Sequence, residues 1–142
     1  MKAFIRFSIT LICAGLPITA PAQNYPAKPV RLIAASSPGS AVDIVARIVA
    51  QKLGDQMKQQ VVVDNRAGAG GNIGAEMAAK AAPDGYTLYM ATPANAINPS
   101  LYRSLNYDLV RDFVPVSLLT TGHFCVVVHP SLPVKSVKEL IA

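Results

Sequence analysis

Tryptophan is absent from this 142-residue chain, histidine occurs twice, cysteine twice, and lysine and arginine never form a run. Each scarcity removes a class of function. A zinc centre takes about four ligands from His, Cys and carboxylates. His123 and His129 have no second ligand or carboxylate at metal spacing, so no metal is expected. With no basic stretch interleaved with aromatics, nucleic acid is a poor partner. Cys13 lies in a leader, which leaves Cys125 alone and no internal disulfide. Cys125 stands in Phe124-Cys125-Val126-Val127-Val128, where a buried, unreactive thiol is expected.

The leader is a secretory pattern. Lys2 and Arg6 give a basic start, Phe7 to Leu16 an apolar core, and Ala20-Pro21-Ala22 an A-x-A cleavage signal before Gln23. The apolar run is too short to span a bilayer comfortably. Ile12 before Cys13 departs from the small residue a lipoprotein signal needs. Residues 1–22 are therefore set aside, and no later stretch is apolar for long enough to cross a membrane, so the mature chain is expected to be soluble, exported and monomeric. Of 13 Lys and Arg, two leave with the leader; eleven against 8 Asp and Glu give a formal +3. That mild basicity favours small anions without deciding a ligand.

What is present is a strand and helix alternation. Val30 to Ala35 reads as a buried strand, and Ser36-Ser37-Pro38-Gly39-Ser40 as loop. Ile44, Val45, Ile48, Val49 and Leu53 fall at helical spacing within Val42 to Met57. Val61-Val62-Val63 is a β-branched second strand. A helix over Ile73 to Ala82 stops at Pro83-Asp84-Gly85, and Tyr86 to Ala91 is a third strand. This βαβαβ order predicts an α/β fold with a parallel sheet and flanking helices. Ligands bind such sheets outside the carboxyl ends of the strands. Those ends carry Ser36 to Ser40, Asn65 to Asn72 and Thr92 to Asn95, three polar loops converging on one edge. Further on, Ser100 to Ser104 allows one helical turn. Phe113 to Leu119 and Phe124 to His129 are strand-like, the first weakened by Pro115. Ser136 with Glu139 is a capping pattern opening a helix close to the last residue, and the chain is expected to be a fragment.

The densest signal is the stretch from Asp64 to Tyr86, where Gly68, Gly70, Gly71 and Gly74 join a strand to a helix. Glycine permits φ > 0 and lets backbone N–H groups approach a ligand, and a helix N-terminus favours an anion. The glycines alone fit a tight connection equally well. They match a dinucleotide fingerprint poorly, and an exported chain has little access to nucleotide cofactors; none is expected. Ser36, Ser37 and Ser40 sit in no G-x-S-x-G elbow, and hydroxyls that bind a ligand or cap a helix explain them better than a nucleophile. Asp43 reads first as a first-turn acid complementing the helix dipole, second as a residue fixing the ligand loop.

Several motifs together resemble the Bug-type, TctC-like solute-binding receptors of tripartite tricarboxylate transporters. They are Tyr25-Pro26-x-Lys28-Pro29-Val30, Pro38-Gly39-Ser40-Ala41-Val42-Asp43-Ile44-Val45-Ala46-Arg47, Asn65-Arg66-x-Gly68-Ala69-Gly70-Gly71-Asn72-Ile73-Gly74 and Ala82-Pro83-Asp84-Gly85-Tyr86-Thr87-Leu88. Asn98-Pro99-Ser100-Leu101-Tyr102, Asp112 to Ser117 and Pro130-Ser131-Leu132-Pro133 extend the match along nearly the whole mature chain. The resemblance implies a periplasmic protein of two α/β lobes that close on a small carboxylate and pass it to a membrane permease, without catalysis. Carried over by motif, the ligand-binding residues are Ser37, Pro38, Gly39 and Ser40 with Asp43 beyond, then Ala69, Gly70, Gly71 and Asn72. Thr92 and Asn95 correspond less closely.

Two departures stand out. Many relatives carry an aromatic and Pro-Pro-Gly-Gly where this chain reads Ser36 to Ser40, so specificity is expected to differ. Relatives are also about twice as long, as two domains of ordinary size require. Residues 23–98 are thus expected to form an N-terminal binding lobe and 99–142 the start of an incomplete second one. The alternatives are an exported enzyme of the serine hydrolase kind and a truncated reading frame with no stable fold.

Overall fold

The structure, a computed structural model, describes residues 25–122 and 125–141. The leader, His123 and Phe124 lie outside the described residues.

A three-stranded parallel sheet forms the centre, in the order β2-β1-β3. β1 (Val30–Ala34) is the middle strand, paired from Val30↔Val61 to Ala34↔Asn65 on one side and from Arg31↔Thr87 to Ala34↔Met90 on the other. Its near-continuous apolar run suits a strand covered on both faces; Val30, Ile33 and Ala34 are fully buried. β2 (Val61–Asn65) and β3 (Thr87–Met90) flank it. Helix α1 (Ala41–Met57) joins β1 to β2 and lays Ala46 and Ala50 against Leu32, Ala34 and Met90. Small residues at i and i+4 let that helix approach the sheet closely. After a 3₁₀ turn at Ala69–Gly71, helix α2 (Asn72–Ala79) leads to β3 and buries Ala75. The first crossover runs from β1 to β2 and the second runs back from β2 across β1 to β3, so right-handedness puts α1 and α2 on opposite faces. Arg31, pointing away from the α1 core, reaches Met77 of α2 at 3.1 Å.

The expected elements are present with three differences. Helix α2 ends at Ala79, short of Ala82; Pro83, four residues on, has no N–H to give the Ala79 carbonyl and its ring would clash with it in a continued helix. Thr92 to Asn95, expected as loop, opens a helix, α3 (Pro93–Leu101). Thr92 is its N-cap, Pro93 takes the first-turn position, and the Asn95 side chain closes a capping box. The strand-like runs at 113–119 and 125–129 are not strands among the described residues. A strand needs a neighbour to take its N–H and C=O groups; no described segment pairs with either run, and Pro115 removes a donor from the first. Val114, Val116, Leu118, Val126 and Val127 are consequently exposed. So is Cys125, which corrects the expectation of a buried thiol.

Between these regions the chain folds back on the sheet. Tyr107 is buried, and Phe113 stacks 5.4 Å from Tyr89. The last helix, α4 (Val137–Ile141), starts as its sequence indicates, with the Glu139 N–H donating to Ser136 Oγ at 3.2 Å.

Candidate functional site

Strands β1 and β3 are neighbours, yet β1 leads through α1 to β2 on its other side, and the crevice outside the carboxyl ends of such a strand pair is where open α/β sheets bind ligands. The N-termini of α1, α2 and α3 all start at this edge. Their partial positive charges favour an anion there.

The first loop, residues 35–40, is held from within. Ser36 N–H donates to Ala34 O at 2.8 Å, Ser40 N–H to Ser37 O at 3.3 Å, and Gly39 N–H to Asp43 Oδ2 at 2.8 Å. Pro38 has no N–H, so among the described residues Ser37 keeps the loop's free backbone donor. The Ser40 hydroxyl is already committed, accepting from Asp43 N–H at 3.2 Å as the α1 cap. Gly39 has φ +80°, and a side chain there would meet nothing within 4 Å, so the loop faces open space.

Asp43 is buried under this loop. Its carboxylate accepts from Arg47 Nε at 3.0 Å, Gly39 N–H at 2.8 Å and Asn65 Nδ2 at 2.9 Å. Those bonds, the Arg47 one first, hold its pKa down at about 2.

The glycine turn is the second loop. Gly68, Gly70 and Gly71 have φ of +124°, +65° and +89°, and Ala69 shares the left-handed region at +48°. Gly71 N–H donates to Gly68 O at 2.9 Å and Asn72 N–H to Ala69 O. The N–H groups of Ala69 and Gly70 precede the turn's own bonds and stay available. A Cβ on Gly71 would lie 3.3 Å from Ala35 Cβ and 3.4 Å from Asn95 Nδ2, so this turn sits directly against the end of β1 and the start of α3.

Helix α3 supplies the third wall. Asn95 and Asn98, three residues apart, share one face and are buried. Asn98 Nδ2 donates to Gly70 O at 3.0 Å and to Asn72 Oδ1 at 2.6 Å; Tyr107 OH also donates to Asn72 Oδ1, at 2.7 Å. The carbonyl of Gly70 fixes which end of the Asn98 amide is nitrogen, and Asn98 in turn fixes Asn72. The N–H of Thr92, donating to Asn95 Oδ1 at 2.9 Å, fixes Asn95 likewise. Buried Asn72 Nδ2, Asn95 Nδ2 and Ser36 Oγ are left without a partner among the described residues. Buried polar atoms are nearly always satisfied; these two oriented amide donors and the hydroxyl lie just beneath the edge, where an acceptor-bearing guest or water reaches them only if the edge opens. Beside Asn95, the Tyr89 hydroxyl points to Gly71 O at 3.5 Å; burial pushes its pKa up to about 12, so it stays protonated.

The structure thus brings Ser37, Pro38, Gly39 and Ser40, Ala69 to Asn72, and Thr92 and Asn95 to one edge, with Asp43 beneath. Sequence reasoning offered the Ser36 hydroxyl as a ligand-binding or capping group, and it missed the parts played by Asn65, Arg47, Asn98 and Tyr107. The i, i+3 spacing of Asn95 and Asn98 was an available signal once a helix was assigned there. No spacing rule joins Tyr107 to Asn72 across 35 residues.

Residues 45–142 match the family model described as the tripartite tricarboxylate transporter family receptor. The chain is 40% identical over 136 residues to protein BugT of Bordetella pertussis, covering 94% of this chain and 42% of that relative. It spans about two fifths of the length of the curated relatives it matches. Among solved structures it is similar to R. palustris Rpa4515 with adipate, at 35% identity and TM-score 0.64 over 82% of this chain and 40% of that one. It is also similar to MatC from Rhodopseudomonas palustris with bound malate, at 32% identity and TM-score 0.64 over 67% and 33% of the two chains.

Proposed function

The chain belongs to the tripartite tricarboxylate transporter receptor family, and from that premise we propose that it carries the N-terminal lobe of a periplasmic receptor that captures a small carboxylate for a membrane permease. The observation that carries this reading is the convergence at the β1/β3 crevice of three helix N-termini, the glycine turn and two oriented, unpartnered amide donors. A carboxylate offers these groups both charge and acceptor oxygens. In this reading Ser37, through its N–H and hydroxyl, and the N–H groups of Ala69 and Gly70 take one carboxylate. Pro38, Gly39, Ser40, Gly71 and Thr92 shape the edge, and Asn72 and Asn95 lend their free amides where the edge opens. The residues from 99 onward lead towards a second lobe. Two similar structures hold dicarboxylates, adipate and malate, which supports that ligand class. Export through the leader at residues 1–22 and delivery to a permease belong to the same proposal, as does the absence of catalysis.

Calorimetric titration with malate, adipate and their diamides is the test. Heat of binding from the acids and none from the diamides is the expected result. Equal responses would mean the edge does not read carboxylate charge.

A further inference from the structure

Asp43 is not placed like an ordinary first-turn acid. Such a residue complements the helix dipole while facing water, whereas Asp43 is buried and both of its oxygens are occupied. Its three side-chain partners come from separate places. Gly39 N–H belongs to the first loop, Arg47 to the next turn of α1, and Asn65 to the end of β2, where the glycine-turn loop begins. Asn65 extends the tie, since its Nδ2 also donates to Ser36 O at 3.3 Å and its Oδ1 accepts from Arg47 Nη2 at 3.4 Å. One carboxylate therefore bridges the two loops that, in the function proposed above, hold the carboxylate ligand.

We infer that Asp43 is a positioning residue that locks the first loop against the second through Gly39 and Asn65, and that it does not touch the ligand. Three features exclude direct contact. Three of its four lone-pair positions are used, the side chain is buried beneath the loop, and its charge is already paired with the Arg47 guanidinium at 3.0 Å within the protein. Drawing Gly39 N–H inward also decides which donors face out, leaving Ser37 N–H as the backbone donor presented by the first loop. The spacing between Ser37 and the Ala69–Gly70 amides is then set by the Asp43–Asn65 bond at 2.9 Å.

This inference rests on the proposed carboxylate site, so the experiment reads two quantities. Amide hydrogen exchange at Gly39 is followed by NMR, and malate and adipate affinities by calorimetry. In Asp43→Asn an amide nitrogen must confront Asn65 Nδ2 or the Gly39 and Arg47 donors. Gly39 exchange should quicken and affinity fall about tenfold, the loss of one hydrogen bond to a charged group. Ala50→Gly, which destabilises α1 away from both loops, should change neither beyond its effect on global stability. Asn65→Ser unties the second loop from the other side and should weaken binding similarly while Gly39 stays protected. That variant also serves if Asp43→Asn fails to fold. Unchanged Gly39 exchange in Asp43→Asn, unchanged affinity in Asn65→Ser, or lost affinity with Gly39 still protected in Asp43→Asn would each overturn the inference. If neither the parent chain nor its fusion to the remaining length of BugT binds either acid, the proposed ligand class fails, while the Gly39 measurement still decides whether Asp43 holds the loop.

Discussion

The side-chain amide of Asn98 donates at 3.0 Å to the carbonyl of Gly70, and through the same nitrogen at 2.6 Å to Asn72 Oδ1. One buried residue of α3 thereby fastens the glycine turn and the first residue of α2. Asn98→Leu strands a backbone carbonyl and weakens the support of an amide oxygen, and leaving a buried polar group unsatisfied costs about 1–3 kcal/mol. Tyr107→Phe removes one of two donors to Asn72 Oδ1 and leaves the other, so a smaller loss of about 0.5–1.5 kcal/mol is expected. Urea denaturation of the two variants should rank them in that order.

Glycines 39 and 71 both have positive φ, yet substitutions at them should differ. At Gly39 a methyl group enters open space, so Gly39→Ala pays for left-handed backbone alone, about 1–2 kcal/mol. At Gly71 the same backbone cost is joined by contacts at 3.3 Å to Ala35 Cβ and 3.4 Å to Asn95 Nδ2, which must give way. Gly71→Ala should lower the melting temperature more than Gly39→Ala. Gly70→Val should do so too, because its Cβ would sit 3.2 Å from the Tyr102 hydroxyl. Calorimetric scans of the three variants check the ranking.

The sheet and its two crossover helices were legible because their signals are local. Val30 to Ala34 is a buried apolar run, α1 has helical spacing, and Pro83 marks where α2 has to end. The meeting of the three loops was legible as well, since the βαβαβ order alone places them at one edge, the edge proposed as the site. Helix α3 escaped because Pro93, Asn95, Asn98 and Pro99 look like loop residues one by one; the cap geometry that makes them helical depends on Thr92 and Asn95 together. The roles of Asn98, Tyr107 and Asn65 escaped for a different reason. Their partners are distant in sequence, and side-chain hydrogen bonds between distant residues leave no period to read. Cys125 was misjudged because an apolar run was taken as evidence of burial, whereas burial also requires a covering partner.

The low pKa of Asp43 makes stability acid-sensitive with a defined sign. Its folded value of about 2 lies below the ordinary 3.8, so the folded state binds the proton less readily than the unfolded one. The stabilisation is complete above the ordinary value and is lost as pH falls from there towards about 2. The Asp43 carboxyl carbon should titrate near that lower value by NMR. In Arg47→Gln, which removes the leading cause of the shift, the midpoint should move up towards the ordinary one.

Exposure of Cys125 predicts chemistry that a core thiol would not show. In a chain beginning at Gln23, one thiol should react with Ellman's reagent under native conditions as fast as in denaturant. Cys125→Ser should abolish the reaction and leave the melting temperature unchanged, because no packing is lost. Protection of the thiol until unfolding would mean that the apolar run from 125 to 129 finds cover in solution.

Affinity is the quantity in which residues 23–142 taken by themselves should differ most from the relatives, which are more than twice as long. The donors described here line one edge of one sheet, and Ser37, Ala69 and Gly70 are exposed. A carboxylate resting on them remains in water, where exposed charged contacts are worth about 0–1 kcal/mol each. Two or three such contacts stay below the roughly 4 kcal/mol that a Kd of 1 mM represents. Enclosure changes the balance, because removing water strengthens each hydrogen bond to the ligand. The chain by itself is therefore expected to bind malate or adipate at millimolar strength or weaker. A fusion of residues 23–142 to the remaining length of BugT should bind at least tenfold more tightly, as enclosure by a second wall adds more than about 1.4 kcal/mol. Calorimetry on both proteins decides it: micromolar binding by the chain by itself would show that the β1/β3 crevice is a complete site without another lobe.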